Sequence, residues 1–104
     1  ATALLAGLQD THVAGICAAL APIMQRALLP SIRSERALPP EELRLTISDQ
    51  LPGIPVAVLP SFAAAWAEAQ RDTAPILICG SLHFAGEALA FLRGEPAAFE
   101  ECLQ

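Results

Sequence analysis

The residues best placed for chemistry are Gly80, Ser81 and His83, which follow a short apolar run and open an amphipathic segment. A glycine allows a ligand to approach the backbone closely, and a serine hydroxyl both donates and accepts hydrogen bonds. If a strand ends here and a helix begins, the free N–H groups of the first helical turn favour an anion such as a carboxylate. The segment therefore predicts a small anion site, with His83 able to hydrogen-bond or stack against the ligand.

A structural interpretation of the same residues stays open. Serine is a common helix N-cap, so Ser81 could do no more than begin the helix, with Gly80 as a turn residue. His83 could equally be a solvated surface histidine. Residue types alone favour the structural interpretation for Ser81, so a binding role needs further support.

Other kinds of active site lack their sequence patterns. The chain has no GxxxxGK[ST] or GxGxxG motif and no lysine to neutralise a nucleotide phosphate, and the sequence around Ser81, CGSLH, is not the GxSxG of a nucleophile elbow. His12 and His83 are too far apart in sequence for metal-ligand spacing. We therefore expect no catalytic residue, no metal site and no cofactor bound by this chain alone.

Composition excludes several partners. Eleven acids against six arginines give a net charge of −5, so no basic stripe is present for nucleic acid. The longest uncharged run, residues 50–67, contains Pro52, Pro55 and Pro60, which argues against a membrane span. Three widely spaced cysteines and an N-terminal segment unlike a signal peptide predict reduced thiols and a cytoplasmic protein.

Hydrophobic patterning predicts alternating strands and helices. The first strand is expected at Ala3–Gly7, followed by a helix from Asp10 or Thr11 with apolar positions through Ile23. Later helices are predicted at about 39–51, at Phe62–Asp72 after a Ser61 cap, and at Leu82–Leu92. The other expected strands are Arg26–Ile32, short or at a sheet edge because of Pro30; Ile54–Leu59, buried; and Pro75–Cys79. Residues 34–36 form a linker, and residues 97–104 could add a helical turn.

Alternation of this kind predicts one α/β domain over residues 1–104, Rossmann-like, with a mainly parallel sheet and helices on both faces. The many alanines would also suit an all-helical bundle, which remains the competing fold. In the α/β fold, Gly80 and Ser81 would lie at the carboxyl end of a strand, where ligands of parallel sheets bind.

The order of the segments resembles the C-terminal domain of bacterial folylpolyglutamate synthase/dihydrofolate synthases, which belong to the Mur ligase group. The similar segments are LLAGLQDTHVAGICAALAPI, ALPPEEL, FAAAWAEAQ and PILICGSLHFAGEAL, and they span most of the chain. Two departures stand out. His83 replaces a common tyrosine, and Asp10-Thr11-His12 stands where members often have Asp-Lys-Asp.

The resemblance implies a longer enzyme in which ATP and Mg²⁺ bind mainly in an N-terminal ATPase domain outside this chain. That enzyme would activate a folate or dihydropteroate carboxylate as an acyl phosphate, which the amino group of glutamate then attacks. Ser81 and His83, with Gly80, would contact the glutamate, and the domain would close over ATP. The chain alone would be inactive.

Two alternatives to this function remain. The first is a free-standing Rossmann-like module that binds a small anion or a partner. The second is the C-terminal domain of a cell-wall Mur ligase, which shares the fold. The apolar start at Ala1 favours a piece of a longer enzyme over the free-standing module.

Overall fold

The computed structural model describes residues 1–8, 10–31, 38–80 and 82–94, without the side chains of 10, 11, 82–84 and 87. Strands and helices alternate along the chain. Their bounds are β1 Thr2–Ala6, α1 Asp10–Leu20, β2 Arg26–Pro30, α2 Pro40–Gln50, β3 Val56–Leu59, α3 Phe62–Ala69, β4 Ile76–Gly80 and α4 Leu82–Leu92. The linker at 34–36 and the helical turn at 97–104 that the sequence suggested lie outside the described residues.

The four strands form one sheet in the order β3-β2-β1-β4, and every neighbouring pair is parallel. β1 lies between β2 and β4, and all five of its residues are buried. On the β2 side, the register begins with Thr2 opposite Arg26. On the β4 side, it runs from Thr2 opposite Ile76 to Ala6 opposite Gly80.

Helices cover both faces of the sheet. On one face, Val13 and Cys17 of α1 and Leu43 and Ile47 of α2 pack on alternate residues of β1 and β2. On the other face, α3 and α4 pack on the remaining alternate residues. Phe62 is fully buried there, with its ring centroid 5.1 Å from that of Phe91 in an edge-on arrangement. The predicted α/β class, with a parallel sheet covered on both faces, is confirmed.

Local signals place the helix starts correctly. α2 begins at Pro40, whose missing N–H costs nothing at the first helical position, and Glu41 and Glu42 lie in the first turn. α3 begins after Ser61, whose Oγ accepts a hydrogen bond from the backbone N–H of Ala64 at 3.1 Å. No helix within the described part of the chain has the length and apolarity needed to cross a bilayer.

Two strand positions differ from the prediction. β2 is short, with five residues, as one of the two predicted alternatives had it, but it is an interior strand and not an edge strand. Pro30 is its last residue and lies beyond the stretch that pairs with β1. There the absent proline N–H removes no hydrogen bond from the interior of the ladder. The run 54–59 was expected to be buried, but β3 is the outermost strand beyond β2 and its residues are half-buried or exposed.

Two helices end earlier than predicted. α1 ends at Leu20, so Ile23 is 53% exposed instead of continuing the apolar face. Pro22, two residues after Leu20, does not continue the helix. α3 ends at Ala69 and not at Asp72, whose carboxylate instead accepts a hydrogen bond from the N–H of Ala74 at 2.8 Å in the next turn.

Arg26 links β1, β2 and α3 at the amino edge of the sheet. Its Nε donates to the hydroxyl of buried Thr2 at 3.3 Å, and its Nη2 donates to the carbonyl of Glu68 at 3.0 Å. The guanidinium also pairs with the carboxylates of Glu68 and Asp72 at 3.5 and 3.2 Å. The first residues of β1 and β2 are thereby joined to the end of α3.

We predict that Arg26→Met lowers the free energy of unfolding by about 1–3 kcal/mol, because charge-assisted and partly buried hydrogen bonds are lost. Arg71→Met is the matched control. Arg71 pairs with the same Glu68 carboxylate at 3.2 Å but is 76% exposed, so its loss should change stability by at most about 0.5 kcal/mol. Urea denaturation of both variants measures this difference, and equal effects would contradict the proposed role of Arg26.

Candidate functional site

The carboxyl ends of β1 and β4 lie side by side. β4 ends at Gly80, which is exposed and pairs with Ala6, the last residue of β1. Gly7 follows β1 with a φ of 71°, a left-handed conformation that glycine adopts without strain. Both strands then lead towards helix N-termini, at Asp10 for α1 and at Leu82 for α4.

The chain leaves these two strand ends in opposite directions. From β1 it passes through α1 to β2 on one side, whereas β4 occupies the other side of β1. α1 packs on one face of the sheet and α4 on the other. This is the topological switch point of a parallel sheet, where the diverging connections leave a crevice that commonly binds ligands. Unpaired N–H groups at helix starts make such a crevice favourable for an anion.

The structure places the predicted site residues as follows. Gly80 lies at the end of β4, on the switch-point edge. His83 lies in the first turn of α4, but its side chain is not among those described. Ser81 lies outside the described residues. The contacts of Ser81 and His83 with a ligand therefore stay predictions.

The topology brings His12 to the same edge of the sheet as the start of α4, which the sequence did not indicate. His12 is exposed near the start of α1, so it lies at the same edge of the sheet as the start of α4. On sequence separation alone, His12 and His83 were too far apart to show metal-ligand spacing. The parallel pairing of β1 with β4, which joins residues about 75 positions apart, brings the two helix starts to one edge.

Cys17 and Cys79 are not activated as nucleophiles. Burial raises the pKa of the Cys79 thiol, which lies next to Gly80, and also raises the pKa of the Cys17 thiol in α1. Both thiols therefore stay protonated at neutral pH, whereas a reactive cysteine needs its thiolate. Both are free thiols, and Cys102 lies outside the described residues. Within the described ranges, no group of three potential ligands could hold a metal ion.

A shallow depression lies beside the crevice, on the α2 side of the sheet. The space in it that is open to the centre of a water molecule is about 10 Å³, enough for one water. The residues that line it are Ala6, Gly7, Leu29, Pro30, Leu38, Pro40 and Leu43. The depression is too small for a substrate, so the crevice between β1 and β4 remains the candidate site.

Comparison with known proteins identifies one informative relative. No protein-family model matches the chain, and no curated protein matches its sequence. Among solved structures, the chain is similar to the folylpolyglutamate synthase of Mycobacterium tuberculosis, which was crystallised with ADP and with AMPPCP. The TM-score is 0.69 at 27% sequence identity, and the match covers 89% of this chain.

The match covers only 23% of the synthase chain, so these 104 residues span about a quarter of that enzyme's length. The similarity in structure agrees with the order of segments on which the sequence resemblance was based. The predicted resemblance is thereby confirmed: the chain has the structure of a folylpolyglutamate synthase C-terminal-like domain.

Proposed function

We propose that this chain is one domain of a longer ATP-dependent ligase that adds glutamate to dihydropteroate or folate. The observation that carries the proposal is the structural similarity to a folylpolyglutamate synthase over nearly all of the chain. In the reaction, the substrate carboxylate takes the γ-phosphoryl group of ATP, giving an acyl phosphate and ADP. The amino group of glutamate attacks the acyl carbon, phosphate leaves, and the amine loses a proton as the amide forms.

The role of this domain would be to bind the incoming glutamate. The crevice at the carboxyl ends of β1 and β4 offers helix-start N–H groups to a carboxylate. Gly80 leaves space for the ligand next to the backbone, and the Ser81 hydroxyl and the His83 ring would hydrogen-bond to the glutamate. Holding the amine in this way beside the acyl phosphate accelerates amide formation by positioning.

The chain's own residues do not fit ATP and Mg²⁺. The sequence has no phosphate loop and no lysine, and the described residues include no cluster of metal ligands. Both groups would bind in an N-terminal ATPase domain of the same polypeptide. This domain would then close over ATP and exclude water from the acyl phosphate, which hydrolysis would otherwise destroy. Such an enzyme would act in the cytoplasm, in keeping with the thiol content.

The matched structure favours the folate branch over a cell-wall Mur ligase, because the similar enzyme is a folylpolyglutamate synthase. A free-standing anion-binding module would function without being part of a longer polypeptide. The length of the reading frame that encodes the chain decides between that module and a ligase domain.

We predict that the 104-residue chain alone does not add glutamate to folate or dihydropteroate, because ATP binding lies elsewhere. The measurement is ATP-dependent incorporation of labelled glutamate by the chain and by the full-length polypeptide. Circular dichroism of the chain must show folded α/β structure for the comparison to count. Turnover by the folded chain would contradict the proposal that ATP binds outside these 104 residues.

In the full-length enzyme, Ser81→Ala should raise the KM for glutamate about tenfold or more, since a hydrogen bond to a charged group contributes about 1.5–3 kcal/mol. The KM for ATP should change little. Steady-state kinetics with each substrate varied in turn measures both values.

Ser61→Ala is the matched control for Ser81→Ala. Ser61 also follows a strand, and it caps α3 through the 3.1 Å hydrogen bond from Ala64. Its loss should lower stability by about 1 kcal/mol and leave the KM for glutamate unchanged. If Ser81→Ala behaves like Ser61→Ala, Ser81 is only a helix cap.

A further inference from the structure

Gly7 and Gly80 lie next to each other on the two strand ends that border the crevice. Ala6 pairs with Gly80 in the ladder between β1 and β4, and Gly7 follows Ala6 directly. The φ angles of Gly7 and Gly80, 71° and 156°, are both positive. β2 and β3 end instead at Pro30 and Leu59. Backbone conformations that favour glycine therefore occur at the switch point and not at the ends of the other two strands.

The turn after β1 is confined to Gly7. On its N-terminal side, Ala6 is buried and held in the ladder beside Gly80. On its C-terminal side, Leu8 is only 3% exposed and belongs to the core formed with α1 and α2. The carbonyl of Leu8 also accepts a hydrogen bond from the N–H of Leu38 at 3.0 Å, which joins this turn to the segment before α2. Because both neighbours are fixed, the chain changes direction at Gly7 itself.

A side chain at position 7 would oppose this turn. For an L-residue, a left-handed conformation brings Cβ too close to the following carbonyl oxygen, a clash that glycine escapes. With alanine, the chain between Ala6 and Leu8 would rearrange towards a negative φ, and the turn would leave its place beside Gly80. The crevice would then be correctly formed in only a fraction of the molecules.

We propose that Gly7 is a positioning residue for glutamate, because its left-handed turn holds the loop between β1 and α1 in place beside Gly80 and the start of α4. This inference rests on the proposed function, which supplies glutamate as the ligand. Gly7 acts through the backbone and takes no part in the chemical step. A ligand that binds only when the turn is formed has its apparent affinity lowered by the fraction of molecules that keep the turn.

The test is steady-state kinetics of the full-length enzyme carrying Gly7→Ala, with glutamate and ATP varied in turn. The KM for glutamate should rise about fivefold to thirtyfold, which corresponds to the steric cost of a left-handed alanine. The kcat and the KM for ATP should change little, since saturating glutamate selects molecules with the turn formed. An unchanged KM for glutamate, or a fall in kcat alone, would overturn the proposal.

Gly94→Ala is the matched control. Gly94 has a φ of 78°, close to that of Gly7, and a Cβ there would meet no atom of the described residues within 4 Å beyond its chain neighbours. It follows α4 at the end remote from the crevice. Gly94→Ala therefore introduces comparable backbone strain outside the crevice and should leave the KM for glutamate unchanged. If both variants raised this KM equally, the effect would come from lost stability and the proposal would be wrong.

Gly7→Asn tests whether the conformation of the turn is the cause. Asparagine adopts φ angles near 71° more readily than alanine, because its short polar side chain hydrogen-bonds locally. Its KM for glutamate should therefore lie between those of the wild-type enzyme and Gly7→Ala, and a value at or above that of Gly7→Ala would reject the conformational role. Wild-type turnover separates this inference from the proposed function. An enzyme that does not add glutamate refutes both, whereas an active enzyme in which Gly7→Ala matches the wild type refutes only the role of Gly7.

Discussion

The position of β1 between β2 and β4 is the constraint on which the rest of the structure depends. All five residues of β1 are buried, and its alternate side chains form the centre of both core clusters. A crossover through α1 carries the chain to β2 on one side of β1, and β4 occupies the other side. The same placement that buries β1 thus creates the switch point, so the candidate site is a consequence of how the core is built.

Local chemistry in the sequence predicts most of the elements but not their order. Ser61 fixes the start of α3 through a side-chain cap, and Pro40 occupies the first position of α2; both effects depend on neighbouring residues only. α4 matches its predicted bounds. The interior position of β2 and the edge position of β3 depend on pairings between distant residues, which no local pattern encodes. Pro30 was misleading because its effect on a strand depends on which neighbour its missing N–H faces.

For the candidate site, too, the sequence predicts the local features but not their arrangement in space. Residue types alone favour a capped turn at Gly80 and Ser81 and leave the role of His83 undecided, and only the resemblance to folate ligases suggested glutamate as the ligand. The structure adds a physical reason for an anion there, because two helix starts meet at one edge of the sheet. The proximity of His12 to that edge could not have been predicted without the β1–β4 pairing.

The polar network of Arg26 lies at the opposite end of the strands from this crevice. Its hydrogen bonds hold the amino ends of β1 and β2 to α3, where no ligand must enter. The carboxyl ends, in contrast, carry glycines, helix starts and a half-exposed apolar strand. Among the described residues, the side-chain hydrogen bonds that join different elements therefore lie at the amino edge of the sheet, away from the crevice. In the proposed ligase, this separation would leave the crevice edge open for closure over a substrate held partly by another domain.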